Sequence, residues 1–347
     1  MSGQRGRLVV GALLAVLLLA VVFRGTDWEK LGLALRQARP APLLGLVLVT
    51  VVAYALRAWR WGLLLAPLGR VRFADLFSAT FVGFASGLLI PRAQEIMRPW
   101  LVSRRYPIPL SAGFATIILE RLVDLLTVLV LFGLYLFVLP APPMQMAGPG
   151  MDAIKAAGAA TALVAVALLV LLLALHARPE PVIGLLERLL ARTPRWLAGP
   201  FGRAVRAFTE GLAVLRAPGA HLAQIAVASL ALWLTIAAGF HLNNSAFSLD
   251  LPFSTTLLLL AFLVVGVAIP TPGMVGGFHV FYVLALHEVY GVGRETATAA
   301  AITAHALSNL PVLVLGLALL GREKVTLGRV AGVTGEGSSV PYQEVQP

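Results

Sequence analysis

The sequence predicts an all-α fold, a polytopic membrane helix bundle with six full spans and two re-entrant broken-helix hairpins. Three observations support this. Of the 347 residues, 59% are hydrophobic and 12% are charged, whereas soluble domains carry about 25% charged residues. The apolar residues form blocks, and a block of about 20 residues crosses the ~30 Å hydrocarbon layer as a helix. Two of the blocks are interrupted by proline, glycine or charge.

Six uninterrupted blocks are predicted to be membrane spans. They are Leu8–Phe23, Pro40–Arg60, Leu110–Leu139, Ala156–Leu175, His221–Leu242 and Thr296–Leu320. The first has the basic flank of a signal peptide, but no clear small-residue cleavage site follows it, so we interpret it as an uncleaved first helix. The chain contains no cysteine, which excludes disulfides and thiol chemistry.

The two interrupted blocks are Phe73–Trp100, which is broken at Pro91, and Thr255–Val289, which is broken around Pro270 and Pro272. Proline removes a helical hydrogen-bond donor and glycine loosens the backbone. Within a bilayer, such backbone is tolerated only when it is buried in protein or lines a wet cavity. Broken helices of this kind often form the binding sites of transporters. We therefore predict that both blocks are re-entrant hairpins.

The distribution of basic residues gives an orientation. With two re-entrant hairpins, twenty Arg and Lys residues fall on the side that holds both termini and six fall on the other. The positive-inside rule then places the N- and C-termini in the cytoplasm and the protein in the cell membrane. The net charge of +11 fits this rule and attraction to anionic headgroups. We predict no nucleic-acid partner, because the arginines lie in loops between apolar blocks and form no basic domain.

This topology divides a single transmembrane domain, residues 1–321, into halves at about 1–139 and 153–321. Each half holds three spans and one hairpin, so the second half is predicted to be inverted, with a substrate site near the midplane. The segments GLLIP at 87–91 and GVAIP at 266–270 echo each other in the two hairpins. Residues 177–220 form an amphipathic cytoplasmic segment, either interfacial or a solvated linker, and residues 322–347 form a polar tail predicted to be disordered.

The densest group of charges within the apolar chain comprises Arg92, Glu95 and Arg98 in the first hairpin and Glu120, Arg121 and Asp124 in the next span. An ionised residue at the bilayer centre costs ~2.5–3.5 kcal/mol on insertion scales, so these charges need partners. One interpretation is a buried ion network that only fixes the hairpin. The favoured interpretation is a polar cavity in which arginine donors bind a phosphate, with the carboxylates holding the arginines when the site is empty.

The second hairpin offers helix ends instead of charges. Thr271, Gly273, Gly276 and Gly277 precede a short helix predicted from about Phe278. The N–H groups at such a helix start can face an anion. A packing turn between helices is the equal alternative.

Two weaker candidates lie in the last span, where His305 and Asn309 are four residues apart and are predicted to face Arg121. The remaining sequence shows no spacing of metal ligands and no catalytic or nucleotide-binding motif. We therefore predict no catalytic residue, no metal and no cofactor.

Three segments, LLIPRAQEIMR at 88–98, LERLVD at 119–124 and IPTPGMVGG at 269–277, resemble the lysylphosphatidylglycerol synthase transmembrane family. These flippase-like proteins include the transmembrane half of the multiple peptide resistance factor. The resemblance covers about 7–321. It departs from the family pattern at Gln94, where a glycine is usual, and at His305, where an arginine is common. It implies that the six charged residues form the site and that the protein moves or handles lipids or lipid-linked sugars.

The predicted function is that of a lipid transporter. A passive flippase or scramblase would move an anionic phospholipid or a polyprenyl-phosphate-linked glycolipid between leaflets, through a polar cavity between the two re-entrant hairpins. Movement would be downhill or coupled to ions, because no ATP site is visible. Bifunctional relatives carry a synthase domain after the membrane part; the sequence shows none before Pro347, so we do not expect it to make lysyl-lipid. The alternatives are a lipid-modifying enzyme with Glu120 or Asp124 as general base, and a non-transporting partner of a separately encoded synthase or glycosyltransferase.

Overall fold

A computed structural model describes residues 2–90, 93–139 and 217–323, together with seven isolated helical positions between 156 and 170. The side chains of residues 2–9 are outside this description, as are most of the predicted span Ala156–Leu175, residues 177–216 and the tail from 324. The described chain is helical and contains no strand. Its helices are α1 (Ser2–Phe23), α2 (Trp28–Gln37), α3 (Pro40–Leu65), α4 (Phe73–Leu89), α5 (Ala93–Ser103), α6 (Leu110–Phe137), α7 (Gly219–Ala246), α8 (Thr255–Ala268), α9 (Gly277–Val283) and α10 (Arg294–Glu323).

The helix lengths confirm a membrane helix bundle. Among the described helices, α3, α7 and α10 are long and apolar enough to cross a membrane, and α1 with α2 would give a fourth span if that bent pair were counted as one. Helix α6 has 28 residues, or about 42 Å at 1.5 Å per residue, but its apolar run is interrupted by three charges.

Helix α2 was not predicted, because residues 24–39 are too short and too charged to be read as a span. It begins after Asp27, whose carboxylate accepts hydrogen bonds from the backbone amides of Glu29 and Lys30. The helix turns by 90° from α1. It buries Leu31 while Trp28 stays exposed, as expected of an amphipathic helix near an interface.

The first interrupted block folds as an antiparallel hairpin of α4 and α5. Gly83 lies opposite Arg98, and Gly87 lies opposite Gln94, so the chain reverses between Leu89 and Ala93. A Cβ on Gly83 would lie 2.5 Å from Cγ of Arg98. This glycine is therefore what lets the arginine side chain pass so close to α4.

The second interrupted block also reverses direction. The rings of Phe262 and Phe281 lie 6.4 Å apart, and Gly266 on α8 touches the backbone of Gly277 on α9. A short 3₁₀ turn, Pro272–Met274, joins the two arms. After α9 the chain continues through one π-helical turn, Leu284–Val289.

Contacts at the helix termini define two ends of the bundle. At the first, which we call the arginine-rich end, the Ser78 hydroxyl of α4 donates to Glu323 of α10 at 2.5 Å. Arg105, just after α5, bonds the same carboxylate at 3.2 Å. A ring nitrogen of His221 on α7 lies 2.9 Å from the carbonyl oxygen of Leu63 on α3. The first hairpin thus starts and finishes at this end.

The remaining helix termini lie at the second end, opposite the arginine-rich end. The hydroxyls of Tyr135 and Tyr290 are 2.8 Å apart, which joins the end of α6 to the end of the second hairpin. The amide of Arg39 donates to the carbonyl of Ala246 at 2.9 Å, and the side chain of Arg294 donates to the end of α1. The second hairpin therefore starts and finishes at the opposite end.

The described helices around the two hairpins run in opposite directions, and the division of the chain into two inverted halves stays a prediction. Helix α3 runs towards the arginine-rich end and packs against α7, which runs away from it; the first hairpin and α6 follow α3, and the second hairpin and α10 follow α7. The hairpin tips meet inside the bundle, where a Cβ on Gly273 would lie 3.6 Å from the carbonyl oxygen of Leu88.

The cysteine-free chain allows this topology to be tested by labelling. We expect single cysteines at exposed Arg70 and Arg104, which flank the first hairpin, to be reached by an impermeant maleimide only from the cytoplasmic side. Cysteines at exposed Asp250 and Glu288, which flank the second, should react only from outside. Labelling of the two members of either pair from different sides of the membrane would show that the hairpin between them spans it.

Candidate functional site

The buried carboxylate of Glu120, on α6, lies among four arginines. Its two oxygens accept from the two terminal nitrogens of Arg98, each at 2.9 Å. Its Oε1 atom also accepts from Arg121 at 3.0 Å. The guanidinium groups of Arg60 and Arg57 lie 3.7 and 3.8 Å from the same oxygen.

The carboxylate of Asp124, one helical turn further along α6, contacts a second set of hydrogen-bond donors. Its Oδ1 atom accepts from Arg60 at 2.6 Å and from the indole N–H of Trp233 at 2.9 Å. Its Oδ2 atom lies 3.5 Å from Arg57 and 3.5 Å from Arg121. The two carboxylates therefore share three of the four arginines.

We call this group the charge cluster; its members are Arg57, Arg60, Arg98, Glu120, Arg121 and Asp124. Helical spacing explains how it assembles, because residues three or four positions apart share a face. Glu120 and Asp124 are four apart on α6, and Arg57 and Arg60 are three apart on α3. The first hairpin supplies Arg98 from α5. Three separate elements thus meet at two carboxylates.

Aromatic rings fix Arg98 in place. Its guanidinium carbon lies 4.4 Å from the centre of a Trp61 ring and 5.4 Å from the Phe84 ring, distances at which a cation is attracted to a π face. The indole N–H of Trp61 in turn donates to the Thr116 hydroxyl at 3.0 Å. Arg98 is fully buried, so its charge serves to hold α5 against α6.

The charge cluster carries more positive than negative charge. Four arginines and two carboxylates give a net charge of +2, and buried N–H groups on Arg57, Arg60 and Arg98 have no hydrogen-bond partner among the described residues. Two of the arginines remain reachable, since the side chain of Arg57 is 10% exposed and that of Arg121 is 42% exposed. The cluster therefore has an excess of positive charge and buried donors without a partner among the described residues.

A cavity of about 150 Å³ leads to Arg57. It lies between α3, α7, α10 and the second hairpin, and its wall is mostly apolar. The lining residues are Leu46, Val49, Thr50, Ala53, Tyr54, Arg57, Ile236, Gly239, Phe240, Val267, Met274, Phe278, Ser308 and Asn309. One guanidinium group thus belongs both to the charge cluster and to the wall of an apolar cavity.

The structure places four of the six predicted charged residues together: Arg98, Glu120, Arg121 and Asp124. Arg92 lies outside the described residues. Glu95 forms no ion pair with any other described residue. Arg57 and Arg60 were missed as site residues, because they stand at the end of the predicted span Pro40–Arg60 and were counted only as flanking charges. Their spacing of three, inside an apolar segment, was the available signal.

The candidates in the second hairpin are engaged with one another. The Gly273 carbonyl lies 2.8 Å from a ring nitrogen of His305, and the Gly276 amide donates to the His279 ring at 3.4 Å. Thr271 is buried, and its hydroxyl has no hydrogen-bond partner among the described residues. The Gly276 amide at the helix start thus already has a hydrogen-bond acceptor, the His279 imidazole, within the hairpin.

The glycines of this hairpin allow close packing. Gly276 has φ +89°, a conformation that favours glycine, and a Cβ there would lie 2.7 Å from Cβ of Leu18 on α1. Gly277 touches Gly266 across the hairpin. The helix that follows, α9, has only seven residues. These contacts are those expected if the second hairpin is a packing turn between helices.

The last-span candidates lie on the hairpin side of the cavity. Asn309 lines the cavity and donates to the backbone carbonyl of His305 at 2.8 Å. The ring of His305 lies 4.8 Å from that of His279. Arg121, which was predicted to face this pair, has both of its ion pairs with Glu120 and Asp124.

Comparison with known proteins gives the family. The model of a family described as the lysylphosphatidylglycerol synthase TM region matches residues 8–316. The chain belongs to this family. It is also 28% identical over 342 residues to the glycosyltransferase AglD of Haloferax volcanii, a match that covers 90% of this chain and 54% of that protein. The chain thus spans about half the length of this relative. Both matches associate it with membrane proteins concerned with lipids or glycans.

Neutralising Glu120 should destabilise the protein strongly. Breaking a buried ion pair by removing one partner costs about 3–5 kcal/mol, because the remaining charge stays buried. We expect Glu120→Gln to lower the unfolding temperature of the purified protein in detergent well below that of the wild type.

The matched control is Asp27→Asn, which removes a carboxylate paired with Lys30 where the two side chains are 41% and 70% exposed; asparagine caps a helix about as well as aspartate does. Ion pairs of exposed side chains contribute about 1 kcal/mol or less. Equal stability of the two variants would contradict a central role for Glu120. A double variant, Glu120→Gln with Arg98→Gln, should lose less stability than the two single losses combined, since the residues are in direct contact.

Proposed function

We propose that the protein is a lipid transporter, a passive flippase or scramblase whose charge cluster binds the phosphate of an anionic headgroup. The observation that carries the proposal is the position of Arg57. It contacts both carboxylates of the cluster and also lines the apolar cavity. An amphiphilic lipid needs such a junction, with a cation for its headgroup beside an apolar wall.

The electrostatics support anion binding. Guanidinium groups present planar pairs of donors that match phosphate oxygens. The cluster has a surplus of two positive charges, and the two reachable arginines, Arg57 and Arg121, each lie 3.5 Å from the same oxygen of Asp124. We propose that the carboxylates hold these arginines in the empty site and that a phosphate takes over some of their donors.

The depth of the site supports translocation. Glu120 is ten residues into α6, which is about 15 Å of helix rise and about half of the ~30 Å hydrocarbon layer. A headgroup that reaches the cluster has therefore moved well inside the helix bundle. The tips of the two opposed hairpins meet inside the bundle, as in transporters whose inverted halves enclose a midplane site.

The matches support the choice of lipid. One names a lysylphosphatidylglycerol synthase region and the other a glycosyltransferase. We propose an anionic phospholipid or a polyprenyl-phosphate-linked glycolipid as the substrate. We also propose that the arginine-rich end faces the cytoplasm at the cell membrane, as the positive-inside rule requires.

Two other functions remain as alternatives. A lipid-modifying enzyme would need Glu120 or Asp124 as a general base, but Glu120 has 0% side-chain exposure and Asp124 has 6%, and arginines occupy their oxygens. The other alternative is a non-transporting partner of a separately encoded synthase or glycosyltransferase. The match to AglD favours it, because AglD is named a glycosyltransferase and is about twice as long as the matched region. Turnover by the isolated protein would support the enzyme, and stable co-purification with a synthase without lipid exchange would support the partner.

Lipid exchange in proteoliposomes tests the proposal. We expect the purified protein to exchange labelled phosphatidylglycerol or a short polyprenyl-phosphate sugar between leaflets, and Arg57→Gln and Arg121→Gln to slow this exchange about tenfold or more. A charge-assisted hydrogen bond contributes about 1.5–3 kcal/mol, and 1.4 kcal/mol is about a factor of ten.

The matched control is Arg105→Gln. Arg105 is exposed to a similar extent as Arg121, 36% against 42%, but lies outside the charge cluster. It should exchange lipid at the wild-type rate. Normal exchange by a correctly folded Arg121→Gln variant would remove that residue from the site. No exchange of either lipid by the wild type would contradict passive translocation of these lipids.

A further inference from the structure

We infer that the preferred headgroup carries two negative charges, as a phosphomonoester or a diphosphate does, in preference to the single charge of a phosphodiester. The inference rests on the proposed function and narrows its substrate class. It comes from the charge balance of the cluster and from the distance between its two reachable arginines.

The charge balance leaves two cations to be neutralised. The four arginines exceed the two carboxylates by two, and each of the described ion pairs of the arginines is with Glu120 or Asp124. In the sequence of the first hairpin, Arg92 and Glu95 contribute one charge of each sign, so counting them leaves this surplus unchanged.

Burial makes the two excess positive charges of the cluster energetically costly. An uncompensated charge removed from water costs several kcal/mol. The side chain of Arg57 is only 10% exposed, and it shares both of its carboxylate partners with other arginines. A monoanionic headgroup would leave one cation of the surplus without a counter-charge once the lipid excludes water. A dianion would neutralise both, and a phosphomonoester carries −1.5 to −2 at pH 7 with a second pKa of about 6.

The geometry allows one phosphate to reach both cations. The terminal nitrogens of Arg57 and Arg121 each lie 3.5 Å from the same oxygen of Asp124, so they are at most 7 Å apart. A phosphomonoester offers three unesterified oxygens, one more than a diester. It can therefore accept from both guanidinium groups and keep an oxygen for water.

The apolar wall accounts for the rest of the ligand. The cavity follows one face of α3 from Leu46 to Arg57, eleven residues or about 16 Å of rise. Leu46, Val49 and Ala53 line that face before the chain reaches Arg57. This arrangement fits a hydrocarbon chain that ends at the phosphate, so the ligand class is a lipid phosphate and not free inorganic phosphate.

The experiment compares two lipids that differ only in headgroup charge. The reconstituted full-length protein is given a short polyprenyl phosphate and its methyl phosphodiester, with the same tail, and leaflet exchange of each is measured at about pH 8 and about pH 5, on either side of the second phosphate pKa of ~6. We expect at least a tenfold preference for the monoester at the higher pH. This preference should collapse at the lower pH, because the monoester then becomes a monoanion. Inorganic phosphate should not compete.

The ratio of the two exchange rates at each pH serves as a control for titration of side chains near the site. The charged and titratable groups in contact with Arg57 are Tyr54, Glu120 and Asp124, and Arg60, Arg98 and Arg121 share those carboxylates. The elements packed around the site add Glu95 on α5, His279 on α9 and His305 on α10. A change in their protonation alters the field felt by both lipids, whereas only the monoester changes its own charge. We therefore expect Arg121→Gln, which reduces the surplus to one, to reduce the preference even at the higher pH, and Arg57→Gln to do the same.

The outcomes separate the two proposals. Equal exchange of the two lipids at both pH values, or a preference for the diester, would overturn the dianion inference while leaving the lipid transporter in place. Competition by inorganic phosphate would overturn the lipid phosphate as the ligand. Exchange of neither lipid, nor of the lipids tested above, would contradict the transporter itself.

Discussion

The contact between Glu120 and four guanidinium groups is the interaction on which the rest of the structure depends. It ties α3, α5 and α6 together at a depth where an isolated charge is expensive. The bidentate pair with Arg98 is fully buried, so α5 cannot move away without leaving two charges unpaired. The position of the first hairpin therefore follows from one carboxylate.

The four arginines of the charge cluster fall into two groups, one that stabilises the fold and one that is available for binding. Arg60 and Arg98 have side chains with no exposed surface, and their role is to hold helices. Arg57, whose contacts with the carboxylates are 3.5 and 3.8 Å long, and Arg121, whose side chain is 42% exposed, remain reachable. A buried network with matched charges would only be structural. The excess of two cations makes this one a candidate for anion binding, at some cost in stability when the site is empty.

The hairpins bring the cluster and the cavity together. Proline and glycine end α4 and α8 inside the bundle, where the freed backbone groups must find partners in protein. At the second tip the partner is His305, which meets the carbonyl of Gly273. Helix α10 thus supplies both the support of the tip and the polar edge of the cavity, through Ser308 and Asn309. The two halves of the chain contribute different parts of one site.

The sequence by itself determined the membrane class, the position of most spans and the breaks in both hairpins, because hydropathy and proline act locally along the chain. It also indicated that Arg98 and the carboxylates of α6 belong together, since unpaired charges in an apolar segment need nearby partners. Only the tertiary structure decided that Arg57 and Arg60 join them and that Glu95 pairs with no other described residue. Arg60 and Asp124 are 64 positions apart, and their meeting depends on how α3 and α6 are rotated against each other. Helices that are apolar on every side carry no periodic signal for that rotation.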